Sequence, residues 1–175
     1  MSTSEQANKM DSLIADFAND HGRARQQARE SLVAIGRPAV GPLMQALQHK
    51  DWRMRWGAAK ALGQIADPAA ANALVKTLED QRAGVRWLAA EGVIALGRAG
   101  LASLLQALIH HSDSMWLREG AHHVIHSLTE EDPDLNYSLA PVSAALEDIE
   151  PAIQVPPAAQ AALVALAQTT GQQSR

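Results

Sequence analysis

Four tryptophans, seven histidines and a recurring arginine and aspartate are the residues of this 175-residue chain whose chemistry could carry a function. The tryptophans are Trp52, Trp56, Trp87 and Trp116. Indoles offer large, rigid apolar area with one N–H donor each, the composition of a binding hot spot rather than of a reaction centre. Five of the histidines lie between residues 110 and 126: His110, His111, His122, His123 and His126. His122 and His126 are four apart, so on a helix they share a face, the spacing at which two imidazoles can reach one metal ion. His123 points about 100° away from His122. With no evident third ligand, and no carboxylate placed to orient the rings, His122 and His126 are a metal candidate only, and no cofactor is expected.

Other chemistries are excluded by what the sequence lacks. The chain has no cysteine, which removes disulfides, thiolate nucleophiles, Cys-ligated zinc and iron–sulfur clusters. There is no glycine-rich phosphate loop and no Gly-x-Ser-x-Gly elbow. Glu91 and Glu119 could serve as acid and base only with shifted pKa values, which an open, solvated face does not provide. A net charge of −4, a pI near 5.9 and the absence of any Lys/Arg run leave out the electrostatic footprint of a nucleic-acid binder. The polar start Met-Ser-Thr-Ser-Glu-Gln has no basic and apolar leader pattern. No apolar run reaches the ~18 residues that span a bilayer. A cytosolic, monomer-sized protein is therefore expected, without membrane contact.

The elements that must position these residues follow from composition and period. Aromatics make up only 3% of the chain, so the core has to be built from Ala, Leu, Val and Ile, which suit closely stacked helices. Four segments align without gaps on Arg25, Arg55, Arg86 and Arg118. Each has Ala three residues on (Ala28, Ala58, Ala89, Ala121), an aliphatic at seven (Leu32, Leu62, Val93, Ile125) and another at ten (Ile35, Ile65, Leu96, Leu128). Offsets of three, seven and ten trace one helical stripe. Shorter amphipathic helices intervene at 40–47, 70–78 and 101–108. Gly36 and Gly97 stand where a helix end favours a left-handed residue, and Pro38 and Pro68 suit a first turn, with Asp67 as cap. Asp20, Asp51, Asp80 and Asp113 precede the four arginines, where a carboxylate can accept the orphan N–H groups of a helix start. The unit is helix A, a tight turn with Asp, then helix B.

A two-helix unit of this length cannot bury its stripe alone and must stack on its neighbours. The pattern Val/Met-Arg-x-x-Ala-Ala-x-x-Leu-Gly-x-Ile resembles the short HEAT-like repeats typified by the phycobilisome lyase family. Ankyrin and tetratricopeptide signatures are absent. The resemblance implies an all-α, right-handed α-solenoid of about five HEAT-like helix pairs in a single domain. Residues 6–130 carry the clear repeats, and residues 137–169 form a degenerate capping repeat. A fifth helix A is read from Tyr137 to Asp148, and the Pro156-Pro157 pair opens a fifth helix B. Residues 170–175 are expected as a disordered tail. In such repeats the Asp and Arg form a buried ladder that fixes register, and the histidines of helix B are expected to pack as buried neutral imidazoles between the fourth and fifth repeats.

The resemblance also implies that helix B lines a concave surface, on which the positions flanking each Arg point into the groove. Those positions hold Glu30 in the first copy, and Trp52, Arg53, Trp56 and Lys60 in the second. They hold Trp87 and Glu91 in the third, and Trp116, Glu119 and His123 in the fourth. Every tryptophan falls among them, and a clustered apolar patch of this kind is one that soluble monomers avoid unless it is used. The expected function is a non-enzymatic scaffold that binds a protein or peptide through a Trp-lined groove. The alternative is a bilin or cofactor lyase, or a chaperone-like protein acting on a partner, as the resemblance to phycobilisome lyases implies. HEAT-like alkylpurine DNA glycosylases are a further rival, opposed by the acidic charge. The iron enzyme deoxyhypusine hydroxylase is another, opposed by the lack of any adjacent His-Glu pair.

Overall fold

A computed structural model describes residues 3–172. Every regular element among the described residues is helical. The order is α1 (Thr3–Ala15), α2 (Gly22–Ile35), α3 (Val40–Ala46), α4 (Trp52–Ile65), α5 (Ala71–Thr77), α6 (Ala83–Ala95), α7 (Arg98–His110), α8 (Met115–Glu131), α9 (Asn136–Leu146) and α10 (Pro151–Gln172). Short 3-10 turns at Asp16–Ala18, Arg37–Ala39, Pro68–Ala70 and Pro133–Leu135 lead from one helix to another. This is the all-α stack of HEAT-like helix pairs that the repeat requires. Packing divides it into two compact units between Leu96 and Gly97, the first holding α1–α6 and the second α7–α10.

In the first unit the B helices α2, α4 and α6 pack side by side, and each A helix lies on its own B partner. The stripe explains the burial: Ala28, Ala58 and Ala89 and then Leu32, Leu62 and Val93 are sealed, while Ile35 and Ile65 at the end of the stripe are half-buried. Small residues let backbones approach. A methyl group on Gly63 would stand 3.0 Å from the Cα of Gly92, so α4 and α6 touch almost main chain to main chain there. At the N-terminal end the ring of Phe17 lies flat on α4, filling the space that a Cβ on Gly57 would take.

Helix ends follow the expected punctuation with two shifts. Gly36 (φ 72°) and Gly97 (φ 57°) take positive φ, and Ala66, at the equivalent point of the second repeat, is left-handed at φ 52°, ψ 38°. Asp51 caps α4 by accepting from the Arg53 N–H, and Asp67 accepts from the Ala69 N–H. At α8 the shorter side chain of Ser114, not Asp113, accepts from the Leu117 N–H. At α2 no side chain caps the helix; Asn19 accepts from the N–H of His21, just ahead of its first turn.

The arginine ladder is also corrected. Asp51, which a ladder would give to Arg25, binds Arg53 instead. What the four arginines share is a clamp on the turn before their own helix. One guanidinium nitrogen of Arg25 donates to the carbonyls of Asn19 and Asp20, and Arg55 does the same to His49 and Lys50. Arg86 donates to the carbonyl of Asp80, and Arg118 to that of Ser112. Arg55 adds the ion pair with the next repeat's Asp80.

In the second unit the last pair departs from the pattern. Helix α9 packs beside α8, and α10 packs mainly against α7 and α9, which reverses the layer order of a continued ladder. Arg98 holds the corner by donating through two nitrogens to Asp132. Helix α10 begins at Pro151, five residues ahead of the expected proline pair, and runs through it. Pro156 has no N–H to give the carbonyl of Ala152, and the Ser112 hydroxyl donates to that carbonyl at 2.9 Å. The freed acceptor is thus satisfied, and the helix is not broken. It extends to Gln172, overlapping the expected tail at 170–175, whose last residues, 173–175, lie outside the described residues.

Candidate functional site

The B-helix face of the first unit gathers three of the four indoles. Trp52 and Trp56 are one turn apart on α4, and Trp87 lies on α6 at the aligned position of Trp56. Trp52 is 44% exposed and Trp87 56%, while the residues sealed beneath them are Ala58, Ala59, Leu62, Val85 and Ala89. The large aromatics are therefore outside and the small aliphatics inside, the reverse of what packing alone selects. Trp56 is half-buried, its ring lying over the first turn of α6 in ordinary contact with the place of a Cβ on Gly84.

Two shallow depressions follow each other along α4 and α6. The first, about 320 Å³, is lined by Trp52, Trp56 and the segment Arg82 to Val85. The second, about 340 Å³, is lined by Lys60, Gly63, Gln64, Trp87 and Glu91 among others. Cations stack on both α4 indoles: the ammonium of Lys60 stands 5.0 Å from the ring centre of Trp56, and the guanidinium of Arg82 5.7 Å from that of Trp52. Such contacts hold a charge over an apolar surface while leaving its outer side open to a ligand.

Not every expected residue joins this arrangement. Arg53 lies on α4 but donates to Asp51 and Asp20, which hold its guanidinium. The hydrogen bonds and charge of Arg53 keep the Asp51 carboxyl below its usual range, and Asp51 in turn raises Arg53. Glu30, on α2, accepts from the Gln26 side chain at 2.8 Å. Trp116 (36% exposed), Glu119 and His123 belong to α8 in the second unit, beside the exposed Met115. Arg82 is the residue the repeat analysis missed. Its signal was present: it holds the helix-start position that Asp51 and Ser114 fill in the neighbouring copies, where a long cation is out of pattern.

The histidines are not buried. His122 faces Glu147 of α9 at 3.0 Å and His126 faces Glu130 one turn on at 3.7 Å, with all four side chains substantially exposed. The expectation of packed neutral imidazoles is thus corrected, although His122 does bridge to the fifth helix pair. The positions equivalent to His122 in the second and third copies, Ala59 and Ala90, are sealed. Because α10 leaves the B layer, α8 is flanked there by α9, and His122 reaches Glu147 at the C-terminal end of α9. Among the described residues no group of three or more His, Asp or Glu side chains is placed to hold a metal ion. Nor is any helix long and apolar enough to cross a membrane.

Comparisons agree with this architecture. Residues 10–94 match the model of HEAT repeats. Among solved structures, the chain is similar to one in the complex of CpcE and CpcF of phycocyanin lyase from Nostoc sp. PCC7120. The match has 25% identity and a TM-score of 0.56, covering 89% of this chain and 98% of the other. Comparison with the curated proteins gives no match.

Proposed function

We propose that this chain, whose residues 10–94 match HEAT repeats, is a non-enzymatic binding module whose Trp-lined B-helix face engages a protein or peptide partner. The observation that carries this reading is the inversion of residue size across α4 and α6: indoles face solvent above a core of Ala, Val and Leu. Two adjoining depressions floored by those indoles offer pockets for apolar anchors, with Lys60, Arg82, Gln64 and Glu91 as a polar rim. Trp52, Trp56 and Trp87 are the anchors on the first unit. Trp116, with Glu119 and His123, is a further contact on the second. Glu30 sets selectivity at the edge of the first.

Alanine at Trp56 and Trp87 together tests the reading. Capture of the partner from native lysate is lost while helical circular dichroism and melting are kept. A fall in melting temperature with capture intact would assign both rings to packing.

A second reading, a lyase or chaperone handling a bilin or similar cofactor on a partner protein, is favoured by one observation, the similarity to the phycocyanin lyase complex. Flat conjugated ligands stack well on indoles. Visible absorbance that co-purifies with the protein from its native source, and that is lost in the double-alanine variant, would select this reading over the first.

A further inference from the structure

From the charges on the α4/α6 face we infer that its occupant is an acidic peptide segment of the partner, an extended stretch with carboxylates beside apolar side chains. The inference rests on the proposed binding role of that face and names the chemistry of what binds.

Arg37, Arg53, Arg55 and Arg98 each have a carboxylate within ion-pair distance. Lys60 and Arg82 have none among the described residues; each is held only by an indole ring. In a chain that carries a net charge of −4, these two positive groups lie without a carboxylate partner on the surface that also collects the tryptophans. A cation stacked on an aromatic ring is positioned but not neutralised, so it presents a fixed donor to an incoming anion with little rotamer freedom left to lose. Glu91, the one carboxylate lining the two depressions, shares the second with Lys60 and leaves the first, at Arg82, without any.

The dimensions favour a peptide. From Trp52 to Gln64 the helix rises about 18 Å, the reach of roughly five or six extended residues. The residues lining the two depressions follow the same order on both helices, from Trp52 and Arg82 to Gln64 and Gly92, so one continuous strand can cross both. Carboxylates would meet Arg82 and Lys60, and the side chains between them would rest on Trp56 and Trp87. Two cations with no basic run are too few for a phosphate backbone, which needs several neutralised charges.

Selection from a displayed random heptapeptide library on the immobilised full-length protein tests the inference. The wild type should enrich sequences with two or more Asp or Glu flanking aliphatic or aromatic residues. A synthetic peptide of that consensus should lose about tenfold in affinity for a Lys60→Gln/Arg82→Gln variant, as two solvent-facing charge contacts would contribute. The reversed variant Lys60→Glu/Arg82→Glu should instead select basic peptides, with circular dichroism unchanged in both. Enrichment of neutral or basic peptides by the wild type would overturn the acidic specificity and leave the binding face standing. Tighter binding of a ten-nucleotide single strand than of any peptide would also overturn it. Selection of nothing that depends on Trp56 and Trp87 would remove the binding face and this inference together.

Discussion

The guanidinium of Arg55 in α4 reaches across to the carboxylate of Asp80 in the turn after α5 and grips it through two nitrogens, with the side chains 15% and 8% exposed. This pair ties the second repeat to the third. Burial pushes the Asp80 carboxyl up, but the Arg55 hydrogen bonds, the Arg82 N–H and the charges of Arg55 and Arg86 outweigh it and hold the group below its ordinary value. Asp80→Asn keeps an acceptor for the Arg82 N–H and removes the charge, leaving Arg55 partly desolvated. Unfolding in urea at pH 7 should show a loss of about 1–3 kcal/mol, less than for a fully buried pair because part of Arg55 stays wet. A carboxyl with a depressed folded pKa stabilises above its unfolded value of about 3.9 and stops doing so as pH falls through the folded one. The gap between wild type and variant should therefore be constant from neutral pH to about pH 5 and shrink below pH 4.

Ala66 takes a positive φ where the equivalent positions carry glycine. Gly36 and Gly97 occupy the equivalent positions with positive φ, and Ala66 takes the left-handed region with a Cβ in place. Ala66→Gly should raise stability by about 0.5–1 kcal/mol as the local strain outweighs the added freedom of the unfolded chain. Gly36→Ala should lower it by about 1–3 kcal/mol. Paired thermal melts of the two variants would read opposite signs.

Gly57 and Phe17 form a contact that allows no added carbon. An ideal Cβ on Gly57 would fall 2.5 Å from Cγ of the Phe17 ring, and Phe17 is buried. Gly57→Ala should cost about 1–3 kcal/mol by overpacking, despite the better helix propensity of alanine. Combined with Phe17→Leu the penalty should be less than additive, because the smaller side chain yields the space. A double-mutant cycle in urea measures the difference.

Tryptophan emission offers a direct probe of the cations beside Trp52 and Trp56. The ratio of iodide to caesium quenching in the wild-type protein should exceed that of free N-acetyltryptophanamide, because Arg82 and Lys60 draw anions to the rings. Lys60→Gln/Arg82→Gln should lower the ratio without shifting the emission maximum. An identical ratio in wild type and variant would show the two charges to be electrically silent at the rings.

The helical stack was legible in the sequence because its signal is a repeated offset: Ala58, Leu62 and Ala89, Val93 recur at fixed distances from an arginine, and all are sealed. The exposure of Trp52 and Trp87 was legible for the complementary reason, since the buried offsets were already filled by small residues. Three features were hidden. The arginine clamps act on backbone carbonyls, which carry no residue identity. The layer reversal of α9 and α10 depends on which neighbour a weakly amphipathic helix chooses, and the alanine-rich sequence of α10 marks no single face sharply. The exposure of His122 follows from that reversal. Arg82 was overlooked because its side chain leaves its own repeat and comes to rest on an indole thirty residues earlier.

The clamps from Arg25, Arg55, Arg86 and Arg118 each close on main chain within their own repeat. A joint fastened in this way is modular. A duplication or excision that cuts between joints carries its own backbone fastening with it, though the second joint, whose Arg55 also holds Asp80, asks that carboxylate of the next repeat. The number of units in such a chain can therefore drift while the angle at each joint is inherited intact, and a recognition strip confined to two adjoining B helices would survive the change.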